Sequence, residues 1–129
     1  MKSSYLSLIL LTSAIVISCN KEENYNSSLV GKWEWLKTTD VNGKVISYPE
    51  NTDDNHIIQF DTTGGFYYEN NYGLTIDGTY ELVTDDSGVK KYRTINTNIV
   101  VCYEIERDIL KTWREDTTDS YFKYYRRIV

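Results

Sequence analysis

The chain has 129 residues and sets 14 Lys and Arg against 19 Asp and Glu, a formal net charge of −5. That length holds one domain, and the acidic balance argues against a nucleic-acid partner and against electrostatic adhesion to anionic lipid. One histidine and two cysteines leave little from which to build a closed metal site or a disulfide framework.

Lys2 is followed by an apolar run from Tyr5 to Ile17, interrupted only by Ser7, Thr12 and Ser13. The run has the length of a signal-peptide core and falls short of the ~20 residues that a membrane span needs, so a signal helix is expected over residues 1–18. Its end, Val16-Ile17-Ser18-Cys19, resembles the lipobox of bacterial lipoproteins, with Val16 where leucine is usual. The resemblance implies that the mature chain starts at Cys19 and that its sulfur carries lipid. Each buried acyl methylene contributes about 0.8 kcal/mol, so two or three chains anchor a protein on a membrane where one holds it only marginally. A thioether sulfur cannot also form a disulfide, which leaves Cys102 alone, expected as a buried apolar filler. Residues 19–28 have the composition of a solvated tether. Within them Lys21-Glu22-Glu23 resembles the signal that sends Bacteroidetes lipoproteins to the outer face of the outer membrane.

From Leu29 onward the sequence becomes strand-like, and no stretch shows sustained helical periodicity. Twelve tyrosines against three phenylalanines suit pleated surfaces with one wet edge. Alternation bounded by turn residues predicts strands at Lys32–Trp35, where both tryptophans share a face, at Gly43–Tyr48, His56–Phe60 and Phe66–Asn70, and at Thr75–Val83, where Ile76, Gly78, Tyr80 and Leu82 share a face. Val89–Ile95, Ile99–Glu106, Ile109–Glu115 and Tyr121–Ile128 complete the series. The connections are too short for parallel crossovers, so consecutive hairpins form a meander. A meander escapes exposed edges most simply by closing on itself. The expected fold of residues 29–129 is all-β: an antiparallel up-and-down barrel of about eight strands.

Gly31-Lys32-Trp33 resembles the G-x-W signature of lipocalins. Together with Phe60 to Gly64, Gly78-Thr79-Tyr80 and the tyrosine-rich end Tyr121 to Arg127, it makes residues 29–129 similar to short lipocalin-like lipoproteins of Bacteroidetes. The resemblance implies that Trp33 closes the barrel floor and that a late arginine packs across its ring. Arg126, on the face shared with Phe122 and Tyr124, is the expected partner. Thr118-Asp119-Ser120-Tyr121 departs from the Thr-Asp-Tyr element of full-length lipocalins, and "SYPENTDDN" has no pattern for a helical lid.

Catalysis finds little to work with. His56, next to Asp53, Asp54 and Asn55, is expected as a solvated histidine at a loop edge, with no nucleophile and acid in order around it. Asp53-Asp54 and Asp85-Asp86 read as turn acids rather than as calcium loops. No cofactor, metal or enzymatic activity is expected. Two functions remain open: a barrel that binds a small apolar or amphipathic ligand, lined by Trp35, Phe60, Ile76, Tyr80 and Tyr103, or a filled barrel that presents its loops or wall to a surface protein or glycan.

Overall fold

The computed structural model describes residues 28–95, 97–116 and 121–129. The expected signal peptide, Cys19, and the Lys21-Glu22-Glu23 signal lie outside the described residues, as does Thr118-Asp119-Ser120. Among the described residues nine strands follow one another: β1 (Gly31–Thr39), β2 (Val45–Ser47), β3 (His56–Phe60), β4 (Gly65–Asn70), β5 (Thr75–Val83), β6 (Lys90–Thr94), β7 (Val100–Glu106), β8 (Ile109–Arg114) and β9 (Phe122–Ile128). One turn of helix, α1 (Pro49–Thr52), sits between β2 and β3. Every pairing is antiparallel, and consecutive strands from β3 to β9 are neighbours.

The sheet closes through β1, which pairs with β3 on one edge and with β9 along the other, from Lys32↔Ile128 to Thr39↔Phe122. The result is the expected up-and-down barrel of eight strands, with β2 as a short extra strand beside the end of β1. Closure removes the unpaired edges that a meander would otherwise expose.

Turn chemistry explains the hairpins. Asp40, Asp61, Asn70 and Asp85 each open a turn by accepting a backbone N–H on a side-chain oxygen, and Gly43, Gly64, Gly73 and Gly88, three residues on, have positive φ. Only glycine enters that conformation without steric cost, so the spacing Asx-x-x-Gly fixes where each strand reverses. Asp85, read as a turn acid, does this work.

β1 runs from the floor of the barrel to its mouth, and the strands alternate thereafter. The floor therefore holds the turns after β3, β5 and β7, and the mouth holds the connections after β1, β4, β6 and β8. Trp33, Phe60 and Leu110 are fully buried, with Trp35, Ile58, Tyr92, Tyr103 and Tyr125 around them. Phe60 meets Tyr80 and Tyr92 edge-on, each at 5.0 Å, so the lower interior is filled with rings. Cys102 is buried as expected, although it points outward, between Lys91 and Trp113 on the adjacent strands.

Three expectations need correction. The arginine on Trp33 is Arg127, 4.1 Å from the ring centre, and not Arg126, which is exposed on the outer wall near Glu34. The cause is register: Tyr125 pairs with Trp35 and Arg127 with Trp33, so Lys123, Tyr125 and Arg127 share the inward face of the two tryptophans. Ile76 shares the inward parity of Tyr80 but lies at the mouth end of β5, 48% exposed, so it is not part of the packed interior. His56 is 6% exposed rather than solvated, because the alternation of β3 places it on the same face as Ile58 and Phe60.

Candidate functional site

A cavity of about 450 Å³ opens at the mouth between β6, β7, β8 and β9. Tyr92 and Tyr125 form its inner wall, Ile99, Val101 and Tyr121 its sides, Thr112, Arg114 and Lys123 its polar part, and Trp113 borders it at the rim. Tyr92, Val101, Thr112 and Lys123 reach the space from the inner face of their strands, Ile99 and Tyr121 come from the mouth connections, and Trp113 borders it from the outer parity of β8.

The two cations differ. Arg114 is held in a fork by Asp116, through Nε at 3.1 Å and Nη2 at 2.9 Å. Lys123 makes no ion pair with a described residue, so its charge is available to whatever enters the cavity. In a chain of net charge −5, that local positive group sits apart from the overall field.

Behind the cavity wall lies His56. Its Nε2 is 3.0 Å from the Tyr125 hydroxyl, its ring stacks on Trp35 at 5.2 Å with a 15° interplanar angle, and Tyr68 lies 5.3 Å away. Burial first, then the Lys123 ammonium, push its pKa from 6.5 down to about 4, against a smaller upward pull from Asp54. The ring is therefore neutral near pH 7. Its Nδ1 is buried without a partner among the described residues. A buried lone pair is tolerated more readily than a buried orphan N–H, which places the proton on Nε2, donating to Tyr125 Oη. The Tyr125 hydroxyl keeps its own hydrogen for another acceptor.

The sequence placed the ligand lining elsewhere. Trp35 and Phe60 are core residues, Tyr80 ties its hydroxyl to the Asp61 carbonyl at 2.8 Å, and Tyr103 packs 6.1 Å from Tyr92 below the cavity. Ile76 stands at the mouth, outside the cavity lining. None of these five is brought to the 450 Å³ space. Of the residues that are, Tyr92, Tyr125 and Lys123 carried a usable signal in strand parity once the register of β9 is known.

At the floor, Arg127 donates to the Val30 and Ser28 carbonyls, both at 2.8 Å, and the Trp33 indole N–H donates to the Leu29 carbonyl at 2.9 Å. Gly31 makes room for this, since a Cβ there would stand 2.5 Å from Arg127 Nη1. The barrel therefore has one tied end and one open end.

The outer wall carries a second feature. Trp113 and Phe122 meet edge-on at 5.7 Å, Lys111 lies 4.3 Å from the Phe122 ring centre, and Lys37 lies 4.9 Å from that of Tyr124. Among the described residues no group of His, Cys, Asp and Glu could hold a metal ion. Among the described residues His56 contacts the rings of Trp35, Tyr68 and Tyr125 and hydrogen-bonds the Tyr125 hydroxyl.

No family model matches the sequence, and no curated protein matches it. Among solved structures, the crystal structure of Echinococcus granulosus fatty-acid-binding protein 1 is similar, with 11% identity over 78% of this chain and 98% of that one and a TM-score of 0.47.

Proposed function

We propose that this protein is a non-catalytic binding protein whose barrel takes a small apolar or amphipathic ligand at its mouth. The observation that carries this reading is the cavity of about 450 Å³, which exceeds the roughly 300 Å³ at which ligand sites begin. Its tyrosine and aliphatic sides favour an apolar body, and Lys123 at its edge favours a polar or charged end. The Trp33–Arg127 closure opposite ties the last strand to the first, which favours a preformed cup and a small ordering cost on binding.

The same proposal places the barrel on a membrane through lipid on Cys19, with Lys21, Glu22 and Glu23 directing it to the outer face of an outer membrane. The lipobox-like Val16–Cys19 stretch supports this. Labelling with radioactive palmitate, present in the native chain and lost in Cys19→Ala, tests the anchor, and protease accessibility on intact cells tests the address.

Native mass spectrometry of protein recovered from its host tests the binding function. A small molecule that co-purifies at one per chain and is lost in a variant with a filled cup, Val101→Trp, is the expected result. Its absence from both counts against the reading. A second reading, a module for a surface protein or glycan, is favoured by the Trp113, Phe122 and Tyr124 rings gathered with Lys37 and Lys111 on the outer wall.

A further inference from the structure

The shape and chemistry of the cup narrow its ligand, given that the cup is the binding site. Beneath it Tyr92, Phe60 and Tyr103 pack ring against ring, at 5.0 Å and 6.1 Å between centres, and Leu110 is fully buried. A long flexible chain laid along the barrel axis would have to displace these side chains, which fill the interior down to Trp33. The free space lies above these rings, and three of the residues around it are tyrosines, Tyr92, Tyr121 and Tyr125. Such faces and edges suit a flat ring, which stacks offset or edge-on.

Two polar groups there lack partners. Tyr92 is 6% exposed, and its hydroxyl makes no hydrogen bond to a described residue. Lys123 has no carboxylate within ion-pair distance among the described residues. The Tyr92 hydroxyl is not fully buried; it opens on the cavity and offers its hydrogen to an acceptor bound there. An ammonium lining the same cavity selects for an acceptor that carries negative charge. The geometry points to a compact, ring-bearing acid as the ligand, its ring against the tyrosines and its carboxylate between Lys123 and the Tyr92 hydroxyl. This inference rests on the cup reading and goes beyond it in excluding a long acyl chain.

The test uses the full-length chain carrying Cys19→Ser, titrated calorimetrically with 2-naphthoate, with its neutral counterpart 2-naphthalenemethanol, and with palmitate at submicellar concentration. The expected order is 2-naphthoate bound at one per chain, 2-naphthalenemethanol bound more weakly, and palmitate not bound stoichiometrically. Lys123→Met weakens 2-naphthoate by about five-fold, as loss of a partly exposed ion pair should, and leaves 2-naphthalenemethanol unchanged. Val101→Trp abolishes both, with Val101→Phe used where the larger ring prevents folding. Palmitate binding more tightly than 2-naphthoate, or Lys123→Met leaving 2-naphthoate unaffected, overturns the inference while the cup stands. Failure of all three probes, or binding that persists undiminished in the filled variants, overturns the cup reading itself and the inference with it.

Discussion

The Arg127 guanidinium sits over the Trp33 ring, 4.1 Å from its centre, while donating to two carbonyls of the segment before β1. One side chain thus fastens the last strand to the first and seals the floor. A planar fork suits this task and a lysine does not. Arg127→Met should destabilise the domain by about 2–3 kcal/mol through loss of the ring contact and of two hydrogen bonds. Arg126→Met, which removes only an exposed contact with Glu34, should change stability by less than about 0.5 kcal/mol. Urea midpoints of the two variants check the contrast, and equal losses would refute it.

Gly31 stands in the path of that guanidinium. With φ at +144° and only 2.5 Å between a notional Cβ and Arg127 Nη1, alanine there strains the backbone and pushes the arginine off its seat. Gly31→Ala should cost about 2–3 kcal/mol and should cost much less when Arg127→Met is already present, because the pair is coupled. Gly73→Ala, at positive φ but with open space around it, should cost about 1 kcal/mol. A double-mutant cycle on urea midpoints reads the coupling.

The buried imidazole makes stability depend on pH. The folded-state pKa of His56, about 4, lies below its ordinary 6.5, so the unfolded chain binds the extra proton first. This contribution is fully present above pH 6.5, falls as pH drops from 6.5 to 4, and is exhausted below that. The loss should be on the order of 2–3 kcal/mol and absent in His56→Gln. Because the chain has one histidine, its imidazole signals in an NMR titration are unambiguous. A midpoint near 4 agrees with the structure, whereas a midpoint near 6.5 would mean a solvated ring.

Cys102 should be inert in the folded protein. It is 5% exposed, and burial raises its thiol pKa, so little thiolate reaches solvent. In a Cys19→Ser chain its reaction with a disulfide reagent should be at least about a hundred-fold slower than in urea, limited by local opening. Fast reaction under native conditions would show that the β6–β8 wall opens readily.

Strand positions were legible because turns announce themselves: His56–Phe60 and Thr75–Val83 have the expected bounds, each followed by an Asx-x-x-Gly reversal. The face of β9 was not legible. Phe122-Tyr124-Arg126 and Lys123-Tyr125-Arg127 each offer a tyrosine and an arginine, and the first set is the more apolar. The second turns inward because Arg127 and Tyr125 pair with the inward Trp33 and Trp35, and because Lys123 sits where the interior meets solvent. A pattern rule that sends apolar residues inward fails at an open mouth, which also explains why Ile76 is exposed. His56 could have been recognised from its own strand, since His56, Ile58 and Phe60 alternate with Ile57 and Gln59. Its acidic neighbours Asp53 and Asp54 hid that periodicity.

Chemical-shift mapping with 2-naphthoate on isotopically labelled protein tests the cup most directly. The account predicts that perturbations gather on Tyr92, Val101, Thr112, Lys123 and Tyr125. Perturbations confined to Lys37, Phe122 and Tyr124 on the outer wall, or none at saturating probe, would contradict it.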